Sequence, residues 1–361
     1  MNRKTFTSYF PLWGVSFDSN ERGNLGGRVN ICRPYPVEWR KILKEDIVRA
    51  FECFYGTRLN ITDPIPCISI TMPQESEVTL KTARLDHLAA VQSDSDDAVT
   101  VLRLLKPGWF MDPRFAEYTF MSSDYYIERE PGPYRQLMFR TLFEPTAASY
   151  SLSINELRRT LEEETPASRL WSLLQNYRQS GKNAAIEIAL TNFNLSYSLH
   201  VSNSQKLGFL FTALDAIFGG MSLHKKKGKL YLRNTLMKDF FEDRLFHFMT
   251  LIEDPKAKED IAWIKKHMRS LRNKIAHGSL GDNQKLAGKH HERMLDLLRR
   301  IIPAYLKFCT FWNQFHDRIQ ESLELAPEGQ SLVEAFNKAI SRSIANDAYA
   351  TQLLQSLKFQ K

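Results

Sequence analysis

Eleven of the 15 prolines fall before residue 150, and this division constrains the fold more than any other feature of the chain. Proline removes a backbone donor and breaks helix interiors. The first 150 residues therefore cannot be a set of long helices. They carry short apolar stretches such as "CISITM" (67–72), which read as strands. Helical patterns are interspersed, at "VEWRKILKEDIVRAFECFYG" (37–56) and "DDAVTVLRLLKPGWF" (96–110), the second stopped by Pro107 and Gly108. This half reads as α+β. From Ser153 the texture changes. Ser153 and Glu156 fit a capping box. Helical patterns then follow at roughly 154–179, 182–200, 203–218, 230–250, 258–277, 285–320 and 329–357, with breaks expected inside the longer ones. The expected architecture is an α+β N-terminal region, 1–150, followed by an all-α helical bundle, 151–325, and a helical extension, 326–361. The chain is expected to be predominantly helical, and no repeat of fixed period is present.

Composition narrows the function. Of 361 residues, 43% are hydrophobic and 25% charged, which suits a globular protein with a sizeable core. No run approaches eighteen apolar residues, so no membrane span is expected. The N-terminus lacks an apolar h-region and a small-residue cleavage site. Cys32, Cys53, Cys67 and Cys309 show no CxxC spacing, which reads as reduced thiols of a cytoplasmic protein. Of the 49 Lys+Arg and 41 Asp+Glu, residues 201–361 hold 26 and 17, a net of +9. That leaves 23 and 24, a net of −1, for residues 1–200. A basic second half suits a polyanion such as nucleic acid. "HKKKGK" (224–229), with Lys225, Lys226 and Lys227, is expected as a loop between two helices. It is either a solvated turn or a contact to phosphate.

Several chemistries are disfavoured. "GNLGG" (23–27) lacks the Lys-Ser/Thr pair and following helix of a phosphate loop and reads as a turn. "HERML" lacks the second histidine of a zinc motif, and the adjacent His290 and His291 point to different sides of a helix. There is no dense Cys/His/Asp cluster, so neither a metal nor another cofactor is expected. No GxSxG elbow is present, and no recognition-helix pattern supports a DNA-binding regulator.

"SLRNKIAHGSL" (270–280) is different. Ile264, Met268, Leu271 and Ile275 make one apolar helical face. Asn273 and His277 are four apart and share a face beside it, so the amide can orient the imidazole. Gly278 suits the helix terminus, where the negative end of the dipole favours imidazolium. A histidine titrating near neutrality can take and give a proton. Arg272, always charged, can hold a phosphate and stabilise charge developing on it. Those two groups suffice for attack of an RNA 2′-hydroxyl on the adjacent phosphodiester. Arg272 lies about 140° from His277 around an ideal helix, so the pair does not stack directly. Without further context an exposed polar helix end explains the same residues.

"LRNKIAHG" resembles the RNxxxH form of the Arg-x(4–6)-His motif of the HEPN superfamily, and the chain resembles its ApeA-like members. "LGFLFTALDAIFG" (207–219) resembles the family helix that carries an acidic residue, with Asp215 in that position. "AIEIALTNFNLSYS" (185–198) is similar to the helix before it, and "TVLRLLKPGWF" (100–110) to an N-terminal segment. The resemblance implies a helical, metal-independent endoribonuclease with Arg272, Asn273 and His277 as its catalytic residues. It also implies a homodimer with a composite cleft, and a toxin or antiphage role with an antitoxin or phage-derived trigger. Asp215 would orient the arginine or pair with a lysine. Lys225, Lys226, Lys227 and Lys274 are candidate contacts to the RNA. Some family members instead bind nucleotides or partners without catalysis, and that is the alternative reading.

Overall fold

The computed structural model describes residues 5–12, 14–36, 64–73, 80–108, 110, 118–121, 125–128, 150–158, 160, 163–181, 183–198, 201–219, 221–226, 229–234, 241–276, 284–324, 334, 338–339 and 341–342. α-Helix is the main secondary structure among them. The chain divides into two compact units, Met1–Ser172 and Leu173–Lys361.

The first unit is built on antiparallel pairing. Strands β1 (Thr5–Pro11), β3 (Gly23–Gly26), β4 (Val29–Cys32), β5 (Cys67–Pro73), β6 (Tyr118–Met121) and β7 (Tyr125–Glu128) form one sheet, in the order β3-β4-β5-β1-β6-β7. β5 is the strand expected from "CISITM". Helix α1 (Leu80–Leu105) ends just before Pro107 and Gly108, as its sequence requires. Val91, Ala98, Val101 and Leu102 are buried on it. "GNLGG" is a strand followed by a turn: Gly23–Gly26 is β3, and Gly27 turns at φ +54 into β4. Gly26 has a steric reason, since a Cβ there would come within 1.9 Å of the Trp171 indole.

The N-terminal unit extends past residue 150. β8 (Tyr150–Leu152) pairs in parallel with β2 (Val15–Phe17). The Ser153–Glu156 capping box is present, but it caps a single 3-10 turn, Ile154–Glu156. The helix expected at 154–179 starts late because Arg158 is drawn into an antiparallel bridge with Asn24, through hydrogen bonds of 2.7 and 2.9 Å. α2 (Pro166–Ser180) begins at a proline, where the missing N–H costs nothing. Thr165 and Ser168 cap it reciprocally, each side chain accepting from the other's amide. The division between the units falls inside α2.

The second unit holds α3 (Ala184–Leu195), α4 (Asn203–Phe218), α5 (Phe241–Leu251), α6 (Ala257–Ala276) and α7 (Gln284–Glu324). α4 matches its expected bounds and buries Leu207, Leu210, Phe211, Leu214, Ile217 and Phe218. α7 runs unbroken for 41 residues with Pro303 inside it, so the expected break does not occur there. Its apolar stripe, including Met294, Leu298, Ile301 and Ile302, is buried and holds the helix together across the missing donor. One expectation fails outright. β9 (Met221–Lys226) and β10 (Lys229–Asn234) pair antiparallel, where a basic loop and the start of a helix were expected. "KLYLRN" alternates apolar and polar residues, a period-2 pattern that a helical reading absorbs too easily.

The segment 37–56 and nearly all of 326–361 lie outside the described residues. Among those described, no helix is long and apolar enough to cross a membrane.

Candidate functional site

The helix that carries the Arg-His motif is α6, and both its ends are fastened by different physics. At its start Asp254 and Asp260 are 6% and 3% exposed. Arg300 of α7 donates to both and lies 3.4 Å from Asp296. Burial works against the Arg300 charge, but Asp260 and Asp254 outweigh it and the guanidinium titrates above its ordinary range. Arg293 adds contacts to Glu259 at 2.9 Å and Asp260 at 3.1 Å. Along its length α6 buries Ile261, Trp263, Ile264, Met268 and Leu271. The predicted stripe of Ile264, Met268, Leu271 and Ile275 is therefore the face it presents to the core, with Ile275 half-buried at its margin.

At the other end, Ile275 packs on α4. A Cβ built on Gly208 would stand 3.5 Å from Ile275 Cγ2, so the glycine lets the two backbones approach. Arg272 and Asn273 lie in this last stretch of helix, which closes at Ala276; their side chains lie outside the described residues. His277 and Gly278 also lie outside them. Lys274 is in the last turn and exposed.

Asp215 is half-buried on α4. It is seven residues from Gly208, so it shares that face, about 10 Å further along the helix axis. Lys225 and Lys226 lie on β9, paired with Leu230 and Lys229, and Lys227 lies outside the described residues. Two of the candidate phosphate-contacting lysines thus lie on a strand.

No family model, curated protein or solved structure matches this chain.

His290 and His291, set aside in the sequence as a metal pair, each meet partners that the sequence did not show. His267, four residues before Leu271, meets His290 of α7 with ring centroids 5.3 Å apart, and Trp263 lies 5.6 Å from His290. Arg293 sits over the Trp263 ring at 5.0 Å. Burial lowers the pKa of His290, helped by His267, Lys289 and Arg293. On the other side of α7, burial pushes His291 down to about 4, with Lys206 adding to the shift. The two adjacent histidines do point to different sides of their helix. The partners that give them a role come from α6 and α4, distant in sequence. Among the described residues no group of three or more His, Cys, Asp or Glu is placed to hold a metal.

Proposed function

We propose that the chain is a metal-independent endoribonuclease of the HEPN type, acting in the cytoplasm as a homodimer. The observation that carries the reading is that "RNKIA" (272–276) closes α6, a helix packed against α4 and α7, with His277 next in the sequence. Arg272 and Asn273 lie on α6, and Ile275 beside them is fixed against Gly208. The net +9 of residues 201–361 supports a polyanionic substrate.

In this reading His277 moves protons. It takes the proton from an RNA 2′-hydroxyl as that oxygen attacks the adjacent phosphorus. The bond from phosphorus to the 5′-oxygen breaks, and that oxygen gains a proton. The products are a 2′,3′-cyclic phosphate and a 5′-hydroxyl. Arg272 binds the scissile phosphate and stabilises its growing negative charge. Asn273, four residues before the histidine, orients the imidazole. Pairing of two protomers supplies the convergence that one ideal helix denies to Arg272 and His277. Asp215 is a candidate for orienting the arginine, and Lys225, Lys226, Lys227 and Lys274 for holding the RNA backbone. The N-terminal unit senses a trigger, restrains the nuclease or chooses the RNA, as a toxin or antiphage effector would need.

The test is digestion of single-stranded RNA in EDTA by wild type and His277→Ala, with the product ends analysed. Cleavage by wild type alone, leaving 2′,3′-cyclic phosphate, supports the reading. Equal cleavage by the variant refutes it. Tight RNA binding without cleavage by wild type under activating conditions selects the non-catalytic binding module.

A further inference from the structure

β9 and β10 pair with Lys226 opposite Lys229, His224 opposite Tyr231 and Ser222 opposite Arg233. The alternate pairs are Lys225 opposite Leu230, Leu223 opposite Leu232 and Met221 opposite Asn234. Directly opposed residues share a face of a sheet, and so do positions two apart along a strand. The register therefore sorts this short sequence into two unlike faces. One takes positions 222, 224, 226, 229, 231 and 233, and with them Lys226, Lys229, Arg233, His224 and Tyr231. The other takes Met221, Leu223, Leu230 and Leu232, with Lys225 and Asn234 at opposite ends. β10 contacts α7. From Met221 to Asn234 the sequence has five Lys and Arg and no Asp or Glu. Like charges directly opposed on an antiparallel pair are destabilising, and Lys226 opposes Lys229. Neither strand holds an acidic residue to offset that repulsion.

We propose that this two-stranded sheet packs on the bundle through its apolar face and holds single-stranded nucleic acid on the other. Burial favours the face of Met221, Leu223, Leu230 and Leu232, and the contact of β10 with α7 gives it a surface to pack on. The remaining face sets Tyr231 between two cations on its own strand, Lys229 before it and Arg233 after it. Successive positions on one face of a strand stand about 7 Å apart. A base stacked on the tyrosine thus has a cation within reach of the phosphate on either side of it. A polyanion also removes the repulsion between Lys226 and Lys229. A duplex hides the faces of its bases, and an anionic lipid surface has no planar rings, so the aromatic position favours a single strand over both. Such a surface deepens the proposed function by naming its RNA contacts, and it moves one of them. Lys225 belongs to the apolar face, and Lys229 and Arg233 take its place. Binding here does not depend on cleavage.

The experiment is fluorescence anisotropy of the full chain with a labelled single-stranded 2′-O-methyl RNA, which lacks the attacking hydroxyl and stays intact. Unlabelled single-stranded DNA, RNA duplex and phosphatidylserine–phosphatidylcholine vesicles compete. Either single strand is expected to compete at least tenfold better than duplex or vesicles. Tyr231→Ala is expected to weaken binding about tenfold, and Tyr231→Phe to stay within about twofold of wild type. Lys226→Gln and Arg233→Gln are each expected to lose about fivefold and to lower the slope of log affinity against log salt by about 0.7. Lys225→Gln is expected to stay within about twofold, although it is the next residue to Lys226. Should Tyr231→Ala not fold, the Lys226 and Arg233 variants give the second reading. Absence of binding, duplex or vesicles competing as well as a single strand, wild-type affinity in the folded variants, or equal losses in Lys225→Gln and Lys226→Gln overturns the proposal. Digestion of ordinary RNA in parallel keeps the two readings apart. Binding with these losses but without cleavage upholds the surface and refutes the nuclease, and cleavage with wild-type binding in every variant does the reverse.

Discussion

The two ends of α6 contrast in how they are held. The first turn is tied by buried charge: Asp254 and Asp260 meet Arg300 and Arg293 of α7, with little solvent to screen them. The last turn is held by shape, with Ile275 against Gly208, and it carries an exposed Lys274. Charge fixes one end at a high cost of disruption. The other end carries the candidate catalytic residues of the proposed function. Mutations at the two ends should therefore separate stability from activity.

The largest expected effect lies at the C-terminal end. His277→Ala should lower RNA cleavage by a factor on the order of 10²–10⁴, the usual range for a general acid–base residue. Its denaturant midpoint should match wild type. A fall in stability of the same size as that of an Asp260 variant would break the contrast.

At the N-terminal end, Asp260→Ala removes the buried carboxylate that Arg300 and Arg293 share, leaving Arg300 with Asp254 and Arg293 with the exposed Glu259. It should cost about 3–5 kcal/mol of stability, read by urea unfolding of the helical unit. Cleavage per folded molecule should stay within about threefold of wild type, a loss of well under 1 kcal/mol in the barrier.

His291 gives a pH signature between these regions. Its folded pKa of about 4 lies below the ordinary 6.5, because burial disfavours the charged ring. The unfolded chain then binds more protons, and stability falls as pH drops. The contribution is fully present above pH 6.5 and is lost as pH falls through about 4. The difference amounts to about 3 kcal/mol. It should appear as a steeper loss of stability between pH 7 and pH 4.5 in wild type than in His291→Asn. Parallel curves would show that the ring is not buried as described.

The smallest effect is at Gly208. Alanine there meets Ile275 at ordinary contact distance, and helix propensity should raise stability by about 0.5–1 kcal/mol. Gly208→Val adds methyl groups against the same side chain and should cost about 1–3 kcal/mol. If the last turn of α6 positions the site, only the valine variant should reduce cleavage.

Strand β5, the end of α1 and the whole of α4 were legible in the sequence because each is bounded by local signals. Pro107 and Gly108 stop α1. Ser202 and Gln205 form a capping box at the start of α4, and Gly219 follows its last turn. The apolar stripe of α6 was legible for the same reason. The candidate residues Arg272, Asn273 and His277 stand in one short stretch, so their spacing is itself a local signal.

What the sequence determined alone is where apolar periodicity and proline allow helix or strand, and that the basic excess lies after residue 200. What only the tertiary structure decided is which local signals prevail. The Ser153–Glu156 box could have opened a long helix, yet pairing of Arg158 with Asn24 ended it after one turn. "HKKKGKLYLRN" could have been loop and helix, yet Met221–Lys226 and Lys229–Asn234 pair as strands. Asp254, Asp260 and Arg300 read as ordinary charged residues. Their buried network joins residues some 40 positions apart in the chain, and no single segment encodes it.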